Sequence, residues 1–91
     1  MPPILTLLSR SYCHLCDDMR DALMPLAQRH GATVTEIDVD AFPDLEARYG
    51  DLVPVLLLGT PAEGVALCHY HLDAAAVEGA LAKLAGNPPI G

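Results

Sequence analysis

The chain reads as an α/β domain: a four-stranded mixed sheet with helices on both faces, in the order β-α-β-α-β-β-α. Three observations predict this. In the first half, short apolar runs alternate with longer segments of helical period, the pattern of strands joined by crossover helices. In the second half, the apolar runs at 53–58 and 65–72 are separated by a six-residue turn, which is too short for a crossover and demands antiparallel pairing. The length of 91 residues is that of one small domain, so residues 1–91 are expected to form a single unit.

The elements follow in order. Ile4 to Ser9 form the first strand, a nearly continuous apolar run of the kind covered on both faces. Arg10 to Tyr12 form a loop. A helix is expected from about Cys13 to His30, because Leu15, Met19, Ala22, Leu23, Leu26 and Ala27 recur at helical spacing, and Gly31 is its stop. Pro25 opposes it, since proline in a helix interior removes a hydrogen bond at a cost of about 3 kcal/mol. The apolar period runs through Pro25, so one kinked helix is expected rather than two elements. Thr33 to Asp38 supply the second strand, parallel to the first. A short helix follows, with Pro43 at its first position, Leu45 and Tyr49 inward and Gly50 at its end. Val53 to Leu58 form the third strand, opening on Pro54, and Val65 to Leu72 the fourth. Asp73 caps a last helix that buries Val77, Ala80, Leu81 and Leu84 and stops at Gly86-Asn87-Pro88-Pro89. No repeat, low-complexity segment or second domain is visible.

Composition narrows the function. The apolar fraction is 52%, yet the chain has no Trp, one Phe and three Tyr, so the core must be aliphatic. Twelve acidic against five Lys and Arg side chains give a net charge of −7. That balance argues against nucleic acid, which needs a basic stripe, and against anionic lipid. The longest uncharged stretch, Leu52 to Ala62, carries prolines and a glycine and is far shorter than the roughly 20 residues of a membrane span. Met1-Pro2-Pro3 does not read as a secretory leader. Three cysteines, an odd count, do not make a disulfide scaffold. A reducing cytoplasm is the expected setting, and there cysteine pairs tend to be catalytic.

Residues 13–16 read Cys-His-Leu-Cys, at the point where the first strand hands over to the first helix. Two thiols at this spacing can cycle between dithiol and disulfide. The helix start supplies unpaired N–H groups and a positive dipole end that favour a thiolate. Cys13, at the helix mouth, is therefore the candidate nucleophile, and Cys16, one turn further in, the resolving thiol. The alternative is an inert buried pair. His14, when charged, would favour the Cys13 thiolate, or is simply an exposed side chain; Leu15 is expected to pack inward. Asp17 and Asp18 suit an early helical turn and oppose thiolate formation slightly.

The element order, the C-x-x-C after the first strand and the Val53-Pro54 that opens the third together resemble the thioredoxin fold. Tyr12-Cys13-His14-Leu15-Cys16-Asp17, with Tyr49-Gly50-Asp51-Leu52-Val53-Pro54-Val55-Leu56, is similar to the small bacterial glutaredoxin-like proteins, and the likeness covers nearly the whole chain. Three departures accompany it. The middle pair of the motif is His-Leu rather than Pro-Tyr. The place where glutaredoxins usually carry Gly-Gly beside glutathione reads His69-Tyr70-His71-Leu72-Asp73. Thr6-Leu7-Leu8 lacks the acid that thioredoxins usually bury in the first strand.

The resemblance implies that Pro54 is a cis-proline facing the thiols, with Val53 offering its backbone N–H and C=O to an extended substrate segment; an ordinary trans-proline starting a strand also fits the sequence. Arg10 is a candidate for a substrate carboxylate, with Arg48 a weaker one, and Tyr12 for a contact wall. Surface roles serve these side chains equally well. His71 is expected to rim the substrate groove, near Asp73. Cys68 is expected to be a buried structural thiol, on the strand face opposite His69 and His71.

The resulting expectation is a monomeric, cytoplasmic thiol–disulfide oxidoreductase of glutaredoxin type. It would reduce protein disulfides or glutathione mixed disulfides, with no bound cofactor and no metal. Electrons would come from glutathione or from a thioredoxin-reductase-type partner. Two other readings stay open: a zinc or iron–sulfur protein using Cys13 and Cys16, or an interaction module with idle thiols.

Overall fold

The computed structural model describes residues 2–85. Its elements are β1 (Ile4–Ser9), α1 (His14–His30), β2 (Thr33–Asp38), α2 (Pro43–Tyr49), β3 (Val55–Leu58), β4 (Val65–His69) and α3 (Ala74–Ala85). Single 3-10 turns at Val39–Ala41 and Gly50–Leu52 flank α2 and carry no sequence signal strong enough to separate them from loop. The strands lie in the order β2-β1-β3-β4. β1 and β2 run parallel, while β3 is antiparallel to both β1 and β4. This is the mixed sheet of the thioredoxin fold.

The alternation of β1 explains why it sits centrally. Leu5 and Leu7 enter one core with Met19, Leu23, Leu26 and Ala27 of α1, Leu56 of β3, and Val77 and Leu81 of α3. Leu8 enters a second core with Val39, Val55 and Leu57, against which Leu45 and Tyr49 of α2 pack half-buried. Helices therefore cover both faces, two on one side and one on the other. Thr6, polar but buried, is satisfied by donating its hydroxyl to the Gly59 carbonyl at 2.7 Å.

α1 passes through Pro25 as one element. It ends as expected at Gly31, whose φ of 65° is the left-handed conformation that glycine adopts without penalty. Five expectations need correction. β3 begins at Val55 rather than Val53, because the chain first completes a 3-10 turn and then meets Pro54, which has no N–H to donate to a ladder. β4 ends at His69 rather than Leu72. There Tyr70 takes φ 64° and gives its amide to the Pro54 carbonyl at 2.8 Å, which turns the chain out of the sheet. Leu15 is exposed, since Cys16 takes the buried position in that turn, and Ala22 is exposed beside Leu23 for the same reason. Leu84 is 54% exposed, one turn past the last core contact of α3 at Leu81. The expected stop at Gly86-Asn87-Pro88-Pro89 lies outside the described residues. Among the described residues, no helix is long and apolar enough to cross a membrane.

Candidate active site

Register places the site. Leu8, Val55 and His69 lie abreast on three neighbouring strands. The segments that leave β1, enter β3 and leave β4 therefore emerge at the same end of the sheet. They carry Arg10 to Cys16, Val53-Pro54 and Tyr70 to Asp73 respectively, so the topology gathers the candidate residues at one end although up to 63 positions, Arg10 to Asp73, separate them.

At the mouth of α1, Cys13 is the cap residue, with extended backbone (φ −114°, ψ 104°). Its Sγ accepts the Cys16 backbone N–H at 3.1 Å, and its carbonyl accepts the Asp17 N–H at 3.1 Å. Cys13 and Cys16 are joined in a disulfide, with their Cα atoms 5.2 Å apart. The two sulfurs are not equivalent. Cys16 is fully buried, whereas Cys13 is partly open to solvent. One can meet an incoming disulfide and the other cannot. The amide that faces Cys13 Sγ is one of the orphan N–H groups that stabilise a thiolate at a helix start.

Around this pair, Tyr12 stands fully exposed in a left-handed conformation (φ 57°), uncommon for a residue with a side chain. His14 is exposed. Arg10 Nη2 is held by Asp40 Oδ1 and Glu46 Oε2, each at 3.0 Å, and these bonds, Glu46 first, push the guanidinium pKa up. Arg10 is thus already engaged by carboxylates of the chain itself. Arg48 lies elsewhere, against the Tyr49 ring at 5.9 Å, beside an apolar groove that includes Phe42 and Pro61.

On the facing segment, the Val53–Pro54 peptide bond is cis, as the resemblance implies. Pro54 is buried, and Val53 before it is half-buried with extended backbone (φ −60°, ψ 143°). Tyr70 ties this segment to the end of β4: its hydroxyl donates to the Asp51 carbonyl at 2.9 Å, and its ring meets His69 edge-on with centroids 4.8 Å apart. His71 is exposed, with its amide on the His69 carbonyl at 2.7 Å. Asp73 caps α3 by accepting the Ala76 N–H at 3.0 Å.

Cys68 is a free, half-buried thiol packed on the α1–α3 side of the sheet. Burial pushes its pKa up, against the pull of the Asp73 backbone N–H. Among the described residues, no three His, Cys, Asp or Glu side chains are grouped to hold a metal ion.

Sequence reasoning missed the carboxylate partners of Arg10 and also a second ion network, around Arg20. Arg20 bonds Glu36 through Nε (2.7 Å) and Nη2 (2.6 Å) and reaches Asp17 at 3.0 Å, while Glu36 also accepts the Ser9 hydroxyl at 2.8 Å. The Arg20 contact, supported by Ser9 and opposed by burial, holds the Glu36 carboxyl below the usual range. Asp17 and Arg20, three apart on a helix, were visible as a pair. Glu36 joins them only through the β1–β2 register, in which it stands opposite Leu7.

Comparison with known proteins agrees with this picture. The model of the family described as glutaredoxin-like domain (DUF836) matches residues 4–82. The solution structure of protein Ne2328 from Nitrosomonas europaea is 32% identical, with a TM-score of 0.77 over 88% of this chain and 92% of that one. Protein XcR50 from X. campestris is 36% identical, with a TM-score of 0.59 over 92% of this chain and 99% of that one. A mutant thioredoxin from Halobacterium salinarum is 26% identical, with a TM-score of 0.67 over 89% of this chain and 73% of that one.

Proposed function

For a chain that belongs to the glutaredoxin-like domain (DUF836) family, we propose thiol–disulfide oxidoreductase activity carried by Cys13 and Cys16. The observation that carries the reading is the asymmetry of the pair: one sulfur partly open at a helix cap, bonded to a backbone amide, and its partner sealed in the core.

The reduced enzyme begins with Cys13 as thiolate. It attacks one sulfur of a substrate disulfide, forms a Cys13–substrate mixed disulfide and expels the other substrate sulfur as a thiolate. The Cys16 thiol, deprotonated, then attacks Cys13 Sγ. This restores the Cys13–Cys16 disulfide and releases the second substrate sulfur, which takes up a proton. Two electrons pass from the protein pair to the substrate. Protein disulfides and glutathione mixed disulfides are the substrate classes, and Val53 offers a strand-like backbone contact to either. Tyr12, His14 and His71 would wall the groove, with Asp73 behind them. The protein would work as a monomer in a reducing compartment, without a bound cofactor, and be re-reduced by glutathione or by a thioredoxin-reductase-type partner.

Single-turnover reduction of a disulfide by the reduced protein tests this. Cys13→Ser should lower the rate at least about 1,000-fold, whereas Cys16→Ser should stop at a mixed disulfide on Cys13, visible by mass. Alkylation across pH should find Cys13 reacting fastest, with half-titration below the free-thiol value of about 8.5, and Cys68 slow throughout. Undiminished reduction by Cys13→Ser, or an adduct on Cys68 alone, would overturn the assignment.

A further inference from the structure

We infer that the rim beside Cys13 selects disulfides carried on cationic protein segments and turns away glutathione mixed disulfides by charge. This rests on the redox reading above and chooses between its two substrate classes.

The argument begins with a cleft of about 410 Å³ whose wall runs from Ser9 to Tyr12 and takes in Asp17, Arg20, Glu36 and Asp38. Tyr12, part of that wall, immediately precedes Cys13 in the chain, and the Asp17 amide bonds the Cys13 carbonyl. Two guanidiniums line it, and both are spent within the chain. Arg20 is shared by Asp17 and Glu36, and Arg10 by Asp40 and Glu46. Four carboxylates thus share two cations. Asp38, which uses one oxygen to accept the Asp40 N–H at 2.9 Å, adds a fifth carboxylate; the cleft wall itself holds three acids against two guanidiniums, and with Asp40 and Glu46, which reach the cleft only through Arg10, five acids stand against two cations. The chain's remaining Lys and Arg residues do not enter this cleft: Arg29 is on Glu78, Arg48 is beside Tyr49, and Lys83 is in the last turn of α3.

A carboxylate arriving next to Cys13 would have to displace a carboxylate that the fold already holds in place, and would meet net negative charge in doing so. A lysine or arginine near the target disulfide meets the opposite situation. Asp17 and Asp38 are exposed, and each has a carboxylate oxygen not engaged in the network. Glutathione carries more carboxylates than ammonium groups, so its disulfides belong to the disfavoured class. Attraction of this kind acts within roughly 8 Å at physiological salt and raises association rates by about ten-fold or more when unscreened.

The test is single-turnover reduction by the reduced full chain at pH 8. Three probes are compared: a disulfide-linked peptide flanked by lysines, the same peptide flanked by glutamates, and glutathione disulfide. At low salt the lysine peptide should react about tenfold faster than either of the others, and the ratio should fall to within about twofold at high salt. Asp38→Asn should narrow the low-salt ratio at least about twofold, whereas Glu63→Gln, which removes a charge from the β3–β4 turn, should leave it in place. The salt series on the unaltered protein needs no variant to fold. Equal rates for the three probes at low salt, or equal narrowing by Glu63→Gln, would overturn the inference while leaving the redox reading intact. Failure to reduce any of the three would overturn both.

Discussion

Glu36 satisfies Ser9 and Arg20 together, and through Arg20 it restrains Asp17. Its carboxyl titrates below the usual range, chiefly because of the Arg20 contact. A carboxylate depressed in the folded state contributes stability that is fully present above the unfolded pKa of about 4.3 and is lost as pH falls through the folded value. Glu36→Gln should therefore lower stability at neutral pH by on the order of 0.5 kcal/mol, the scale of a half-exposed ion pair. It should also flatten the decline below about pH 4.3, read as urea midpoints between pH 7 and pH 3. An unchanged acid limb would show that the contact carries no linkage. At this scale the sequence was partly legible. The cysteine pair announced itself by spacing and by its place after an apolar run. The partners of Arg10 did not, because Asp40 and Glu46 lie 30 and 36 positions away and only the folded chain brings them to it.

Among the elements, α1 shows what periodicity reads well and what it misses. Met19, Leu23, Leu26 and Ala27 take the core positions their spacing predicts, while Leu15 matches the same period and stays exposed. A period fixes a face only to within a residue, and in the first turn Cys16 rather than Leu15 takes the core position. The end of α1 was legible because only glycine suits it. An added Cβ at Gly31 would meet no atom within 4 Å, so Gly31→Ala should cost the dihedral alone, about 1–2 kcal/mol by chemical denaturation. A negligible cost would mean that the cap relaxes out of the left-handed conformation. The end of β4 was not legible, because Tyr70 turns the chain at positive φ without a glycine, proline or asparagine to mark it.

For the whole molecule, the apolar alternation of β1 and β3 builds a core on each side of one sheet and brings three chain segments to the same end. The architecture was readable from element order, since a strand–helix–strand unit and a tight hairpin leave few arrangements. The register that sets Leu8, Val55 and His69 abreast was not, because it depends on side chains packing on both faces at once. Leu56 is fully buried in the larger core. Leu56→Ala should cost about 2–5 kcal/mol, a large share of the roughly 5–15 kcal/mol typical of a domain, and should appear as a lowered denaturation midpoint. A loss under about 1 kcal/mol would indicate that the core collapses around the missing atoms.

Among the described residues β2 has a neighbour on one side only, so a row of its backbone donors and acceptors faces outward, a ready template for a stray strand from another chain. Glu36 and Asp38, both on that edge, repel any approaching copy of themselves. The acids that shape the cleft beside Cys13 thus also act as gatekeepers against polymerisation, and their removal would be felt in colloidal behaviour as well as in chemistry.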